Sequence, residues 1–210
     1  MTDLKSRIAV KPLPTPSPSE KLDTEMHAIE GAIVTATDSP PISISSAEYV
    51  EASDFLLYEA ELLDDLRERA WLESLVSKDV SYRLPIRETV ERARGFGFLE
   101  NTFHLNENYG SLGSKVARNE TNYAWAEDPP SRLRHFVTNV RVRSTDNVNV
   151  LDVRSNVLIY RTRQDQTNPQ ILSGERRDLL RREEGRLMLL EHVVYLDLTV
   201  IGTHNLSLFF

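Results

Sequence analysis

Residues 123–140, YAWAEDPPSRLRHFVTNV, mark the place where the pattern of the chain changes from helical to strand-like. Before this stretch apolar residues recur at helical spacing, and after it they alternate. Pro129 and Pro130 interrupt both patterns, because proline fixes φ and lacks a backbone N–H donor. Helices followed by consecutive strands with short turns predict an α+β domain, in which a long curved antiparallel sheet wraps over N-terminal helices.

The helical half begins near Ser45, where the run Ser-Ser-Ala-Glu predicts a capping box. A long amphipathic helix is expected to end at Asp64-Asp65, and a second short helix is expected to carry Trp71. We interpret four acidic residues as a solvated helix face: Glu59, Glu61, Asp64 and Asp65. The predicted buried stripe contains one of these glutamates and consists of Ala52, Phe55, Leu56, Glu59, Leu62, Leu63, Leu66 and Ala70.

The remaining elements follow from alternation and turn signals. Residues 79–85 predict a strand, which Pro85 restricts to an edge or an end. Residues 88–105 predict an irregular loop, and a helix is expected to begin at Asn106. The second of the later strands is long enough to predict a bulge or strong curvature. Four strand-like runs are predicted, at residues 136–144, 148–163, 171–182 and 186–201. One face of the last run is expected to hold Met188, Leu190, His192, Val194, Leu196, Leu198 and Val200.

The composition excludes several classes of site. The chain has no cysteine, which excludes disulfides, thiolate nucleophiles and cysteine-ligated clusters. A formal charge of −7 argues against general attraction to nucleic acid. No apolar run reaches the roughly 18 residues of a membrane span, and the start lacks the apolar core of a secretory signal. A cytoplasmic location without membrane contact is therefore expected.

Residues 1–44 are expected to form an extended, proline-rich N-terminal arm ahead of a single domain at residues 45–210. An unstructured tail is the favoured interpretation of this arm. The alternative is an arm that lies over a neighbouring subunit and orders only on assembly.

Six motifs occur in order along residues 46–210: FLLYEAELLDD (55–65), YRLPIR (82–87), WAEDPPSRLRH (125–135), SNVLIYRTR (155–163), GERRD (174–178) and NLSLFF (205–210). Together they resemble the small, or beta, subunit of the terminal oxygenase of Rieske-type aromatic ring-hydroxylating dioxygenases. The resemblance implies a cone-shaped NTF2-like or SnoaL-like fold, shared with nuclear transport factor 2, ketosteroid isomerase and scytalone dehydratase.

The resemblance also implies a structural subunit without catalytic or metal-binding residues. Its expected partners are a catalytic alpha subunit and other beta subunits, in an assembly of three of each. The Rieske [2Fe–2S] cluster and a mononuclear non-haem Fe(II) are expected in the alpha subunit. The complex would cis-dihydroxylate an arene with O2 and electrons from NADH, which pass through a reductase and often a ferredoxin.

The cone-shaped fold leaves an alternative open, a stand-alone isomerase or dehydratase or a binder of small hydrophobic ligands. Such an enzyme requires a polar dyad in an apolar pocket, and Tyr58, Tyr82, His135 and His192 are its candidates. No two of the five histidines are spaced as metal ligands on a helix would be; they are His27, His104, His135, His192 and His204.

Arginines crowd the strand half, several of them two residues apart and therefore on one face of the sheet. Arginine and aromatic side chains together favour a subunit-docking surface. The first set of predicted interface residues is Trp125, Glu127, Asp128, Arg132, Arg134 and His135. The second set is Tyr160, Arg161, Arg163, Glu175 and Arg176.

Overall fold

A computed structural model describes residues 39–91, 93, 95–121, 129–203 and 205–210. Within them lie the helices α1 (Ala47–Asp64), α2 (Glu68–Leu75) and α3 (Tyr109–Asn119). The strands of the same residues are β1 (Val76–Arg87), β2 (Phe98–Glu107), β3 (Arg132–Ser144), β4 (Val150–Thr162), β5 (Gln170–Glu183) and β6 (Arg186–Leu196). No helix of this described part is long and apolar enough to cross a membrane.

The strands form one sheet in the order β2-β1-β6-β5-β4-β3. Neighbours run antiparallel except β1 and β6, which are parallel and bring the first strand beside the last. The helices pack against one face of the sheet, with α1 chiefly on β3. The predicted α+β architecture is confirmed, although the parallel pair in the middle of the sheet is a feature that the alternating pattern does not reveal.

Helix α1 begins one residue later than the capping box predicts. The Ser46 hydroxyl accepts a bond from the Tyr49 amide at 3.1 Å, whereas the Ser45 amide donates to Ser43 Oγ. The helix ends after Asp64, as predicted, in a turn where Leu66 has a φ of 57° and the Arg67 amide donates to the Leu62 carbonyl at 2.7 Å. Leu66 is therefore exposed instead of joining the buried stripe.

The prediction for Pro85 is partly wrong, because β1 lies inside the sheet between β2 and β6. Its register with β6 extends only to Arg83, so Pro85 faces a single partner strand, β2. A register shift between Leu84 and Pro85 accommodates the missing N–H donor. The proline thus occupies a locally one-sided position in an interior strand.

The predicted loop at residues 88–105 is also wrong in its second half, since Phe98 begins strand β2. This outer strand is half-exposed and polar, which hides its alternation from a sequence pattern. Helix α3 is capped by Asn108, not Asn106. The Asn108 side chain accepts from the Ser111 amide, and the Ser111 hydroxyl accepts from the Asn108 amide.

Two bulges re-aim side chains along the sheet. The extra residue of the β3–β4 ladder lies in β3, between Thr138 and Arg141, and not in β4 as the strand length predicts. In β6 an extra residue at Leu190 shifts the register with β5. Before this extra residue only Leu187 and Leu189 are buried, whereas after it every residue from Glu191 to Leu196 is buried. The predicted seven-residue face is wrong for this reason, and its outlying members Leu198 and Val200 are exposed.

The two ends of the described chain both contact the sheet. The Arg143 side chain donates to the Ser39 carbonyl, and the Ile42 amide donates to the Val142 carbonyl at 2.9 Å, so residues 39–42 lie along β3. Residues 208–210 are buried in the core. The interpretation of residues 1–38, including the alternatives of tail and arm, falls outside the described residues.

Candidate functional site

A charged cluster lies in the interior, between α1 and the inner face of the sheet. Arg176 Nη2 donates to Glu59 Oε2 at 2.6 Å and to Asp178 Oδ2 at 3.0 Å. Asp178 Oδ1 lies 2.7 Å from His192 Nδ1. The four side chains are at most 2% exposed. Buried charges persist only when they are paired in this way.

The fold positions each member of this interior cluster. Arg176 and Asp178 are two residues apart on β5 and therefore share a face, and His192 is the register partner of Asp178 on β6. Glu59 projects from the buried stripe of α1 and also accepts from Trp71 Nε1 at 3.0 Å. The interpretation of Glu59 as a solvated residue is therefore wrong, because its position on the stripe outweighs its charge.

The charges of the cluster stabilise one another. Burial raises the pKa of Asp178, but Arg176 and His192 outweigh it, so that the carboxyl pKa lies below its ordinary value. Burial lowers the pKa of Arg176, whereas Asp178 and Glu59 raise it further above its ordinary value. The cluster consequently keeps an ionised Asp178 and a protonated Arg176 at neutral pH.

Asp178 and His192 form a dyad of the kind that a stand-alone enzyme requires, and Tyr82 stacks on the imidazole at 4.3 Å. Burial raises the pKa of Tyr82, which keeps its phenol protonated. Among the described residues, His192 Nε2 has no hydrogen-bond partner. The dyad escaped the sequence analysis because Asp178 is separated from His192 by 14 residues and a turn.

The candidates of the enzyme hypothesis do not form one site. Tyr58 is exposed on α1, while Tyr82 and His192 are buried beside each other. His135 Nδ1 lies 2.7 Å from Asp64 Oδ1, and its Nε2 lies 3.1 Å from the Phe209 carbonyl. Asp64 is thereby largely buried, contrary to its interpretation as solvated. A cleft of about 220 Å³ opens elsewhere, beside residues that include Arg67, Asn119 and Ser207.

Three predicted interface residues are buried within the subunit. These are His135, Arg161 and Arg176. Arg161 donates from Nε to Ser131 and from Nη2 to the Asn205 side chain at 2.9 Å. Their side chains contribute contacts inside the chain. Trp125, Glu127 and Asp128 fall outside the described residues.

The other predicted interface residues lie at or near the surface of the sheet. Arg132, Tyr160 and Glu175 are exposed or half-exposed, and the Arg134 side chain is 65% exposed. Arg163 is half-buried. Several of the predicted residues are therefore exposed on the sheet, and whether they form an interface stays a prediction.

Large apolar side chains adjoin these residues on the outer face of β3, β4 and β5. Phe136 pairs with Leu158, and Tyr160 pairs with both Arg134 and Ile171. The exposed fractions are 56% for Phe136, 53% for Ile171 and 39% each for Leu158 and Tyr160. We call this surface the outer patch; it consists of Arg134, Phe136, Leu158, Tyr160 and Ile171. Tyr160 was identified from sequence, whereas Phe136, Leu158 and Ile171 were not, although Leu158 alternates with buried residues.

Three arginines stand in direct register on the same outer face. Arg141 of β3 pairs with Arg154 of β4, which pairs with Arg177 of β5. We call these residues the arginine row. Arg177 donates to Glu175 at 2.7 Å, and among the described residues Arg154 Nε has no hydrogen-bond partner. Like charges placed directly opposite each other on a sheet are destabilising unless another charge compensates them.

The described residues contain no group of three or more histidine, aspartate or glutamate side chains placed to hold a metal ion. A Rieske centre requires two cysteine thiolates as well as two histidines, and the chain has no cysteine. The residues of this chain therefore do not fit that cluster.

Comparison with known proteins gives a family and a fold. A family model described as ring hydroxylating beta subunit matches residues 58–203. A solved structure of naphthalene 1,2-dioxygenase with indole bound in the active site contains a chain that is 31% identical. That match covers 77% of this chain and 84% of the other, with a TM-score of 0.69.

Two further structures show the likeness of fold. The beta subunit of benzoate 1,2-dioxygenase from Burkholderia mallei is 22% identical, with a TM-score of 0.57 over 74% of this chain and 93% of that chain. ActVI-ORFA from Streptomyces coelicolor is 14% identical, with a TM-score of 0.51 over 72% of this chain and 98% of that chain. The cone-shaped α+β fold expected from the sequence is confirmed.

Proposed function

Because this chain belongs to the ring-hydroxylating beta-subunit family and is a beta subunit of an aromatic ring-hydroxylating dioxygenase, we propose that it binds the catalytic alpha subunit through the outer face of its sheet. The chain supplies no catalytic residue of its own in this proposal. The arginine row beside the outer patch is the observation that supports binding through this face.

The arginine row favours an acidic partner surface. Cross-strand pairing brings Arg141, Arg154 and Arg177 close together, and each carries a full charge at neutral pH. Glu175 offsets one of these charges, and Asp152, two residues from Arg154 on the same strand, interacts electrostatically with Arg154 and Arg177. Carboxylates of a partner would offset the remainder, and guanidinium groups bind carboxylates in planar, two-pronged pairs. A basic surface on a chain of net charge −7 also steers that partner to one face.

The outer patch supplies the apolar part of the contact. Phe136 and Ile171 are each more than half exposed, and they lie with Leu158 and Tyr160 on three adjoining strands. Burying such neighbouring side chains against a partner gains roughly 25 cal/mol per Å² of apolar surface. Aromatic and arginine side chains grouped in this way are typical anchors of protein interfaces. Arg132, Arg134, Tyr160 and Glu175 remain the predicted contacts from the sequence on this face.

The chemistry of the complex is proposed to reside in the alpha subunit. This chain lacks the thiolates of a Rieske cluster, and we assign both the cluster and the mononuclear iron to the partner. The reaction expected of the complex is the addition of both atoms of O2 to an aromatic ring, with electrons from NADH. Three alpha and three beta subunits are the proposed stoichiometry.

A charge reversal tests the proposed surface. Arg141→Glu is expected to weaken binding of the alpha subunit at least about tenfold in a co-purification or titration experiment, since it places a carboxylate within the arginine row. Arg118→Glu on α3 is the matched control, because that exposed arginine lies on a helix away from the outer face. Equal binding by both variants would overturn the assignment of this face.

The dyad of Asp178 and His192 favours a second candidate, catalysis within this chain. A histidine whose other nitrogen is unbonded has the geometry of a general base. Phe209 and Phe210, however, are at most 1% exposed and fill the adjoining interior. Turnover by the chain alone would establish this candidate, whereas activity that depends on the alpha subunit would support the first.

A further inference from the structure

Residues 205–210 are held by side chains of the folded body, one backbone group after another. His135 Nε2 lies 3.1 Å from the Phe209 carbonyl, and Lys115 Nζ donates to the Leu208 carbonyl at 3.0 Å. The Phe210 amide donates to the Tyr82 hydroxyl at 2.8 Å. Two more carbonyls are bound by side-chain donors, that of Asn205 by Arg161 at 3.2 Å and that of Ser207 by Asn119 at 3.4 Å.

These five side chains belong to elements that are built without the segment. Tyr82 lies on β1, His135 on β3, Arg161 on β4, and Lys115 and Asn119 on α3. Lys115 and Arg161 are 8% and 3% exposed, and Tyr82 is fully buried. Buried polar groups of this kind are costly unless they are satisfied. The body therefore presents a row of hydrogen-bonding groups that match an extended peptide backbone.

Two apolar sockets adjoin this row. The Phe209 ring lies 4.7 Å from the Trp71 ring, and Lys115 Nζ lies 4.7 Å from the centre of the same phenylalanine ring. Phe210 packs in a separate cluster with Leu84 and Ile159. A single short segment thus supplies aromatic side chains to two parts of the core.

The segment is joined to the body through an exposed connection. Strand β6 ends at Leu196, and residues 197–200 are exposed, with Val200 at 80%. The contacts of residues 205–210 with the body therefore lie apart from this exposed connection.

We propose that the described part of residues 46–196 forms a cleft for an extended apolar peptide with two consecutive aromatic residues, and that residues 205–210 are its built-in ligand. Side-chain donors form hydrogen bonds with the carbonyls of the ligand, and the two apolar sockets hold its aromatic rings. Docking of the segment satisfies buried polar groups and completes the core in one step. This cleft is independent of the outer face assigned to the alpha subunit.

The test uses the full chain, folded first and cut afterwards. A protease site inserted between Thr199 and Val200 allows cleavage in the exposed connection. The fragment of residues 200–210 is expected to co-elute with the body and to exchange with an excess of labelled synthetic fragment. A fragment with Phe209→Ala and Phe210→Ala should compete more than about 100-fold more weakly. The control fragment carries Gly202→Ala, since a Cβ there meets nothing within 4 Å.

Loss of the fragment on cleavage, unfolding of the cut protein, or equal competition by all fragments would overturn the proposal. A second measurement avoids cleavage altogether. In the full chain, Phe210→Ala is expected to lower the melting temperature, and benzene should restore part of the loss by filling the vacated socket. The absence of any benzene-dependent rise above that of the unsubstituted chain would contradict the socket.

Discussion

Asp178 and His192 face each other across β5 and β6, with 2.7 Å between the carboxylate oxygen Oδ1 and the imidazole nitrogen Nδ1. The same carboxylate accepts from Arg176, which in turn binds Glu59 of α1. This chain of contacts ties the first helix to the last strands of the sheet. We interpret it as an internal strut of the subunit, because all of its members are buried and paired.

Removal of the central cation should destabilise the subunit strongly. Arg176→Met leaves Glu59 and Asp178 as buried carboxylates without their cation, and loss of one partner of a buried pair costs about 3–5 kcal/mol. Urea denaturation measures the free energy of unfolding. Arg177→Met on the outer face is the matched control, with an expected loss below about 1 kcal/mol. Similar losses for the two variants would contradict the strut.

The dyad is expected to be dispensable for turnover. His192→Gln keeps a polar side chain beside Asp178, so the assembled oxygenase should retain its rate within about twofold while the subunit loses stability. The measurement is the rate of arene oxidation by the purified alpha–beta complex. A loss of about a hundredfold in a complex of unchanged mass and iron content would instead assign the dyad a catalytic role.

Because of the buried Lys115, we expect the free energy of unfolding to rise at alkaline pH. Burial lowers the pKa of its ammonium group to about 8, from an ordinary value of 10.5. Between these values the unfolded chain holds a proton that the folded chain has released, so the free energy of unfolding increases with pH, by about 3 kcal/mol in total. Lys115→Met lacks this titration.

The comparison of the two proteins isolates the effect of Lys115. Unfolding by urea at pH values from 7 to 10.5 should show the unsubstituted chain gaining stability relative to Lys115→Met across the window. A constant difference between them would show that the buried ammonium does not titrate there.

Gly174 is expected to tolerate no side chain. A Cβ at this position would lie 2.5 Å from the Tyr195 carbonyl oxygen, which belongs to the backbone of the neighbouring strand. Gly174→Ala should therefore force β5 and β6 apart at a cost of about 1–3 kcal/mol. Thermal unfolding tests this, with Gly202→Ala as the control. A melting temperature equal to that of the control would refute the close approach.

Much of the fold could be predicted from local patterns. The stripe that contains Phe55 and Leu62 marked α1, and the acidic pair at Asp64 marked its end. Features that depend on a distant strand could not be read in this way. The bulge at Leu190 is defined only by the pairing of β6 with β5, and the one-sided pairing at Pro85 depends on where the pairing of β1 with β6 ends. Strand β2 was missed because half-exposed edge strands carry little apolar alternation.

The candidate site was predictable only in part. Arg134 and Tyr160 were identified from motif and residue type, and both lie on the outer face. Arg176 belongs to a neighbouring motif but is buried, because the parity of its position on β5 turns it inward. Glu59 was not connected with it, since the two residues are 117 positions apart in the chain. Charge alone does not tell a docking arginine from a buried one.

Assembly with the alpha subunit can be measured through the mass of the complex. Light scattering should be measured on this chain alone and on the chain co-expressed with its alpha subunit. We predict a stable complex with the mass of three alpha and three beta subunits, iron-containing and active only when alpha is present. If the chain keeps the same mass with or without alpha, and turns over or binds a hydrophobic ligand by itself, it does not act as a structural subunit of a dioxygenase.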